Sequence, residues 1–362
     1  MLKPKYNFHS HTYRCGHSDD YDDHEFVLEA ISWGYRKYGI SDHVPVHPIF
    51  YWDKRMRMHD REKEEYLSSI EELKKTYADS IEILSGFEAE YDEIIEAYLC
   101  DLRDKCDYMI LGQHYILGKD IRHTVGYPLE YAKKVCKAIE SGIFDIVAHP
   151  DIFMQYRYGI EEKDKDEYIE NCKKASKKIC EKAKEYDIPL ELNLGGFYER
   201  EIESEPRYPT NLFWTEVSKV GNKVVVGLDT HSRDDINLAN LKLSVIKGFI
   251  NLGSLDILQD FDPVLHREKN DKLNNAYLNT KDNLSGVESR FVASFKSSDD
   301  LLKNLKFFPK RKGIKQKYFD CLTLFKREEL IRVIKNCPDK DIVSFVDDYY
   351  SKKREKIKIK ER

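Results

Sequence analysis

The chain reads as an α/β protein whose parallel strands close into a barrel, and three observations lead there. Short apolar runs alternate with longer amphipathic ones over residues 5–251. Chemistry-bearing side chains gather at the C-terminal end of nearly every apolar run. The first and last runs end in polar pairs of identical spacing, His9 with His11 and Asp229 with His231. In (β/α) barrels the C-terminal face carries the site, and residues of the first and last strands meet there. An open doubly wound sheet fits less well, because no Gly-x-Gly-x-x-Gly turn follows a strand.

The strand segments are 5–9, 37–41, 81–87, 107–112, 144–148, 189–194 and 223–228. The helices between them follow from apolar positions recurring every three or four residues. Residues 23–36 place Phe26, Ala30 and Trp33 on one face. Residues 60–78 open on Asp60, an N-cap type, and carry Leu67, Ile70 and Leu73 on one side. Residues 128–141 start at Pro128 and stop at Gly142, the residue types suited to those ends. A Lys/Glu-rich helix spans 164–186, another runs over 210–220 to Gly221, and a further one falls within 233–251.

With 362 residues, 41% hydrophobic and 35% charged, the chain can bury a large core. No apolar run approaches the roughly 20 residues needed to span a bilayer. Residues 1–6 have no apolar signal core, so a cytoplasmic location is expected. The eight cysteines form no Cys-x-x-Cys pair, which favours reduced thiols. Cys15 is expected to be a small buried filler beside the first histidines.

The net charge of −5 conceals a break. Residues 263–362 hold 25 Lys/Arg and 15 Asp/Glu, a net of +10, which leaves −15 on residues 1–262. The expected organisation is a barrel over 1–262 and a basic, mainly helical extension over 263–362, with a helix at 326–336. Such charge admits nucleic acid as a partner. Its bases are interleaved with acids and match no recognised module, so a solvated surface is the expectation.

The strand ends supply a donor set. His9 and His11 close strand 1 and His17 follows in Cys15-Gly16-His17. Strand 2 ends in Ser41-Asp42-His43, strand 3 in Gly86-Phe87-Glu88, strand 4 in Gly112-Gln113-His114. Strand 5 gives His149-Pro150-Asp151, strand 6 Glu191 and Asn193, strand 7 Asp229 and His231. Side chains at i and i+2 of an extended segment point the same way, so each pair can converge on one ion. Seven of the twelve histidines fall in these slots, too many to be ordinary strand-end histidines. Histidine and carboxylate donors without cysteine suit Zn²⁺, Mn²⁺ or Fe²⁺. Nine donors suit two or three divalent ions, with Glu88 bridging. Clustered ions point to hydrolysis of a phosphate ester, where charge develops on phosphoryl oxygens. Asp42 and Asp151 read equally as caps or as orienting acceptors for imidazoles. Glu191 and Asn193 read equally as substrate contacts or as satisfied buried polar groups. The Ile49-Phe50-Tyr51-Trp52 stretch reads as a loop anchored in the core.

The ordered set His9-Ser10-His11, His17, Ser41-Asp42-His43, Glu88, His114, His149-Pro150 and Asp229-Thr230-His231 resembles the PHP (polymerase and histidinol phosphatase) superfamily over roughly residues 5–235. Its Cys-Gly-His loop and Glu191-Leu192-Asn193-Leu194-Gly195-Gly196 segment look most like the monofunctional histidinol phosphatases. The resemblance implies a distorted (β/α)₇ barrel and hydrolysis of L-histidinol phosphate, a small-molecule phosphate ester, by a metal-activated water. It implies a first ion held by His9, His11, Glu88 and Asp229. A second would take His17, His43 and His231, and a third Glu88, His114 and His149. His231 or a metal-bound water would protonate the leaving group. Arg157 and Arg200 would clamp the phosphate, with Arg207 in reserve, since the expected arginine after the Asn-x-Gly segment is displaced here. Phosphotyrosine protein, another phosphorylated small molecule or a nucleic-acid end are the alternative substrates, and a non-catalytic metal-binding scaffold ranks last.

Overall fold

The computed structural model describes residues 5–45, 56–58, 62–92, 95–116, 121–196 and 206–284. Eight parallel strands follow one another in sequence order, each paired with the next. They are β1 (Tyr6–Asn7), β2 (Lys37–Ile40), β3 (Glu82–Ala89), β4 (Tyr108–Leu111), β5 (Ile146–Val147), β6 (Leu190–Asn193), β7 (Lys223–Gly227) and β8 (Asp256–Ile257). The fold is a distorted (β/α) barrel, with eight strands where the sequence suggested seven. The added strand pairs Lys223 with Asp256 and Val224 with Ile257. A two-residue strand shows no alternation, so it leaves no periodic signal.

At the mouth the sheet curls round until the ends of β1 and β7 touch. Ser10 forms a parallel bridge with Thr230. His11 N donates to Thr230 O at 2.8 Å and Thr230 N to His9 O at 3.1 Å. Lower down, the Tyr6 hydroxyl donates to Leu258 O just past β8 at 2.7 Å. The barrel interior is a small apolar plug of Tyr6, Phe8, Leu84, Tyr108, Ile110, Ile146, Ala148, Val225 and Phe261. The opposite strand faces, including Ile83, Met109, Leu111, Val147, Leu190, Leu192, Val224 and Val226, join the larger core under the helices. This period-two division fixes which side chains reach the mouth.

The helices are α1 (Asp23–Ser32), α2 (Lys63–Thr76), α3 (Glu96–Arg103), α4 (Tyr127–Glu140), α5 (Lys165–Glu185), α6 (Asn211–Val220), α7 (Arg233–Asn237), α8 (Ala239–Ile246), α9 (Pro263–Asn274) and α10 (Ala276–Leu284). Phe26 and Ala30 of α1 are buried, but Trp33 is 43% exposed, because the helix stops before it. Ile70 and Leu73 of α2 are buried, and Leu67 packs at the edge. The expected cap Asp60 lies outside the described residues, as do Ile49–Trp52 and the 326–336 segment. The single helix expected within 233–251 is two, α7 and α8.

α9 and α10 lie across the end of the barrel remote from the mouth. Asp262 caps α9, accepting from Val264 N and Leu265 N, and pairs with Lys37 at 2.7 Å. Arg267 meets buried Asp145 at 2.6 Å and donates to the carbonyls of Arg103 and Cys106. Arg103 in turn binds Asp271 and stacks on Tyr277. Asp145 also accepts from Met109 N at 2.7 Å, so the ion pair is tied into β4. Removing one partner of a buried pair strands the other in a low-dielectric site. Arg267→Ala should lower unfolding free energy by about 3 kcal/mol in urea melts.

Candidate metal centre

The donors reach the mouth by strand alternation. Leu84 and Glu88 share one face of β3, and Tyr108 and Ile110 are followed on the same parity by Gly112 and His114. Val225 is followed by Gly227 and Asp229. The glycines beneath the donors make room for crossing side chains. A Cβ on Gly112 would fall 1.8 Å from Glu88 Oε1, and one on Gly227 would fall 1.7 Å from Glu191 Oε1. His149 and Asp229 adopt φ of 28° and 54°. Left-handed backbone at two non-glycine residues costs energy and is found where surrounding structure imposes it.

Glu88, 1% exposed, is the hub. His149 Nε2 is 2.8 Å from its Oε1, with His114 Nε2 at 3.4 Å and His9 Nε2 at 3.5 Å. His43 Nδ1 is 2.8 Å and His11 Nε2 3.6 Å from its Oε2. Asp229 Oδ1 lies 3.4 Å from His9 Nε2 and 3.2 Å from His11 Nε2. The His17 ring stacks 4.5 Å from that of His231 and 5.4 Å from that of His43. Donor atoms lie within 4.8 Å of one another in the groups His9–His11–Asp229, His17–His43–His231, His11–His43–Glu88, His9–Glu88–His149 and His11–Cys15–His231. His114 stands slightly outside these groups, beside Glu88. Cys15 is fully buried, as expected of a filler, yet its thiol is within reach of two donor histidines.

The donor chemistry fits a cation. His9 Nε2, both ring nitrogens of His11, His43 Nδ1, Glu88 Oε2, His149 Nδ1 and His231 Nε2 are buried without a hydrogen-bond partner. Each such group costs about 1–3 kcal/mol if nothing meets it, and seven in one place ask for positive charge. Electrostatics agree. Burial alone would raise the Glu88 carboxyl, but His114, His43 and His9 outweigh it and hold Glu88 well below the usual range. Asp229 is held low against burial by His9, His11 and His231. Burial lowers His17 and His43, and takes His231 to about 4. The shift favours the lone-pair form of these three, whereas, against burial, neighbouring carboxylates raise His9 and His114 and take His11 to about 9.

A ring of carboxylates aims the imidazoles. Glu191 touches His9 Nδ1 at 2.9 Å and accepts from His149 N and Asn193 Nδ2. It orients a donor, so it is more than a satisfied buried group. Asp42 accepts from Thr12 N at 3.0 Å and from the Thr12 hydroxyl, which braces the turn after His11, and stands 3.6 Å from His11 Nδ1, beyond hydrogen-bond reach. Asp151 accepts from Thr210 N at 2.6 Å and holds the start of α6 instead of a donor imidazole. Glu90 accepts from His114 Nδ1 at 2.8 Å and pairs with Arg57. Sequence reading missed Glu90 and Arg57. The i,i+2 spacing of Glu88 and Glu90 was the available signal, whereas nothing local marks Arg57.

Arg157 turns Nη1 to Met154 O and Arg207 O, and Nη2 to Pro206 O and the Tyr158 hydroxyl. It ties the 206–207 segment to the loop after β5. Arg200 lies outside the described residues.

Glu191→Gln should weaken zinc binding by apoprotein about 10- to 100-fold, the usual cost of removing a partner that orients a ligand. Titration calorimetry reads this. Gly112→Ala, which collides with Glu88 itself, should retain fewer ions than Glu191→Gln in elemental analysis of dialysed protein.

Comparison with known proteins agrees with this geometry. A sequence model of the PHP domain matches residues 7–194. A curated "Probable histidinol-phosphatase" from Deinococcus radiodurans is 26% identical over 157 residues, 40% of this chain and 59% of that protein. The alignment thus spans less than two thirds of that relative. The structure of a candidate histidinol phosphatase from Listeria monocytogenes superposes with a TM-score of 0.55 at 22% identity, covering 65% of this chain and 99% of that one. Histidinol phosphate phosphatase from Lactococcus lactis, solved with zinc, L-histidinol and phosphate, gives 0.51 at 18% identity over 68% of this chain and 94% of its own. Both likenesses establish the barrel, and the domain match makes the chain a member of the PHP domain family.

Proposed function

We propose that this chain is a divalent-cation-dependent phosphomonoesterase that hydrolyses L-histidinol phosphate to L-histidinol and phosphate. The observation that carries the reading is the gathering of nine His, Glu and Asp donors, Glu88 among them, at the barrel mouth, many of their polar atoms left without partners. The names of the relatives, and the zinc, L-histidinol and phosphate bound to the Lactococcus protein, support the ion class and the substrate. Two or three ions would share the donors. His9, His11, Glu88 and Asp229 would take one, His17, His43 and His231 another, and Glu88, His114 and His149 a third. Bound there, such ions activate water near neutral pH and neutralise phosphoryl oxygens.

The remaining chemistry belongs to the chain. His231 Nδ1 is 2.9 Å from Asp229 O, an acceptor only, so that nitrogen carries the hydrogen and Nε2 presents a lone pair. With its pKa lowered by burial, His231 suits ligation better than proton donation to the leaving group. Asp229 Oδ1 stands 3.2 Å from His11 Nε2 and is only partly buried. Arg157 and Arg200 are the candidates to hold the phosphate, with Arg207 in reserve.

Chelator-treated protein should release no phosphate from L-histidinol phosphate, and added Zn²⁺ or Mn²⁺ should restore release. A panel with nucleoside monophosphates, a phosphotyrosine peptide and single-stranded DNA tests the substrate. Turnover of DNA without turnover of L-histidinol phosphate would overturn the assignment.

A further inference from the structure

Arg57 sits in the mouth with its side chain 6% exposed, beside Glu90 at 10%. One guanidinium nitrogen, Nη2, lies 2.6 and 2.7 Å from the two oxygens of Glu90. Glu90 Oε1 is 2.8 Å from His114 Nδ1, and the other side of that ring presents Nε2 to Glu88 at 3.4 Å. The chain of contacts therefore runs from a buried cation through a carboxylate to an imidazole and ends at the hub.

We propose that Arg57 is a positioning residue for the ion shared by Glu88, His114 and His149. The proposal rests on the three-ion reading of the mouth. The physical reason is orientation. Arg57 Nη2 meets both oxygens of Glu90 and so fixes the carboxylate. That carboxylate accepts from His114 Nδ1, which leaves the Nε2 edge of the ring turned to Glu88.

The test is a zinc titration of chelator-treated full-length protein followed by calorimetry, with ion counting by elemental analysis. It needs no substrate, so failure to hydrolyse L-histidinol phosphate would leave its result intact. Arg57→Met should bind one ion about 10- to 100-fold more weakly while the others keep wild-type affinity. Arg57→Lys should recover most of that loss, and Glu90→Gln should reproduce it. Wild-type affinity for every ion in Arg57→Met, or equal weakening of all of them, would overturn the proposal. If Arg57→Met fails to fold, Glu90→Gln and Arg57→Lys decide in the same terms: full binding of every ion by Glu90→Gln overturns it.

Discussion

The structure turns on one carboxylate, Glu88, held 1% exposed among five imidazoles at the end of β3. A buried charge of this kind is tolerated only if other charges meet it. Everything around it serves that requirement. Glycine at position 112 leaves space for the side chain. The left-handed backbone at His149 and Asp229 sits at two of the donors. Behind three of the imidazoles, Glu191, Asp42 and Glu90 stand beside the second ring nitrogens of His9, His11 and His114. His9 and His114 are thus held from behind and present Nε2 to the centre, an arrangement whose remaining need is cations.

Much of this is legible in the sequence because a barrel converts a one-dimensional rule into a three-dimensional site. Strand ends share one face, so donors recurring at strand ends must converge. His9, His11, Asp229 and His231 could be paired across the closure for that reason, and the Ser10–Thr230 bridge is the hydrogen-bonded form of the same closure. The supporting shell is harder to read. Glu191 and Asp42 were visible as polar residues at strand ends, but whether such a group orients a ligand or caps a turn depends on angles that spacing does not encode. Arg57 belongs to no strand, and only the tertiary fold brings it to Glu90. Arg157, placed by its position in the loop after β5, donates to the backbone carbonyls of residues 154, 206 and 207, contacts that spacing does not encode.

The far end of the barrel follows different rules. β8 and α9 carry little hydrophobic periodicity, and what holds them is ionic. Arg267 with Asp145, Arg103 with Asp271 and Lys37 with Asp262 bind α9 to the starts of the strands. Phe261, with Leu258 and Val264 beside it, adds apolar contact and closes the barrel plug from below. In two of these pairs the acid belongs to the α9 side and the base to the barrel, so the basic composition after residue 262 is not what docks this helix. A rigid floor matters to the mouth because β4 and β5, which Arg267 and Asp145 tie together, deliver His114 and His149 to Glu88.

Anomalous diffraction across the zinc absorption edge, from crystals of the full chain grown with zinc, addresses the site most directly. Two or three peaks should appear in the mouth, each bounded by donors from the set His9, His11, His17, His43, Glu88, His114, His149, Asp229 and His231. A mouth without anomalous peaks at saturating zinc, with the donor side chains instead hydrogen-bonded to one another or to water, would contradict the metal centre and the hydrolytic chemistry built on it.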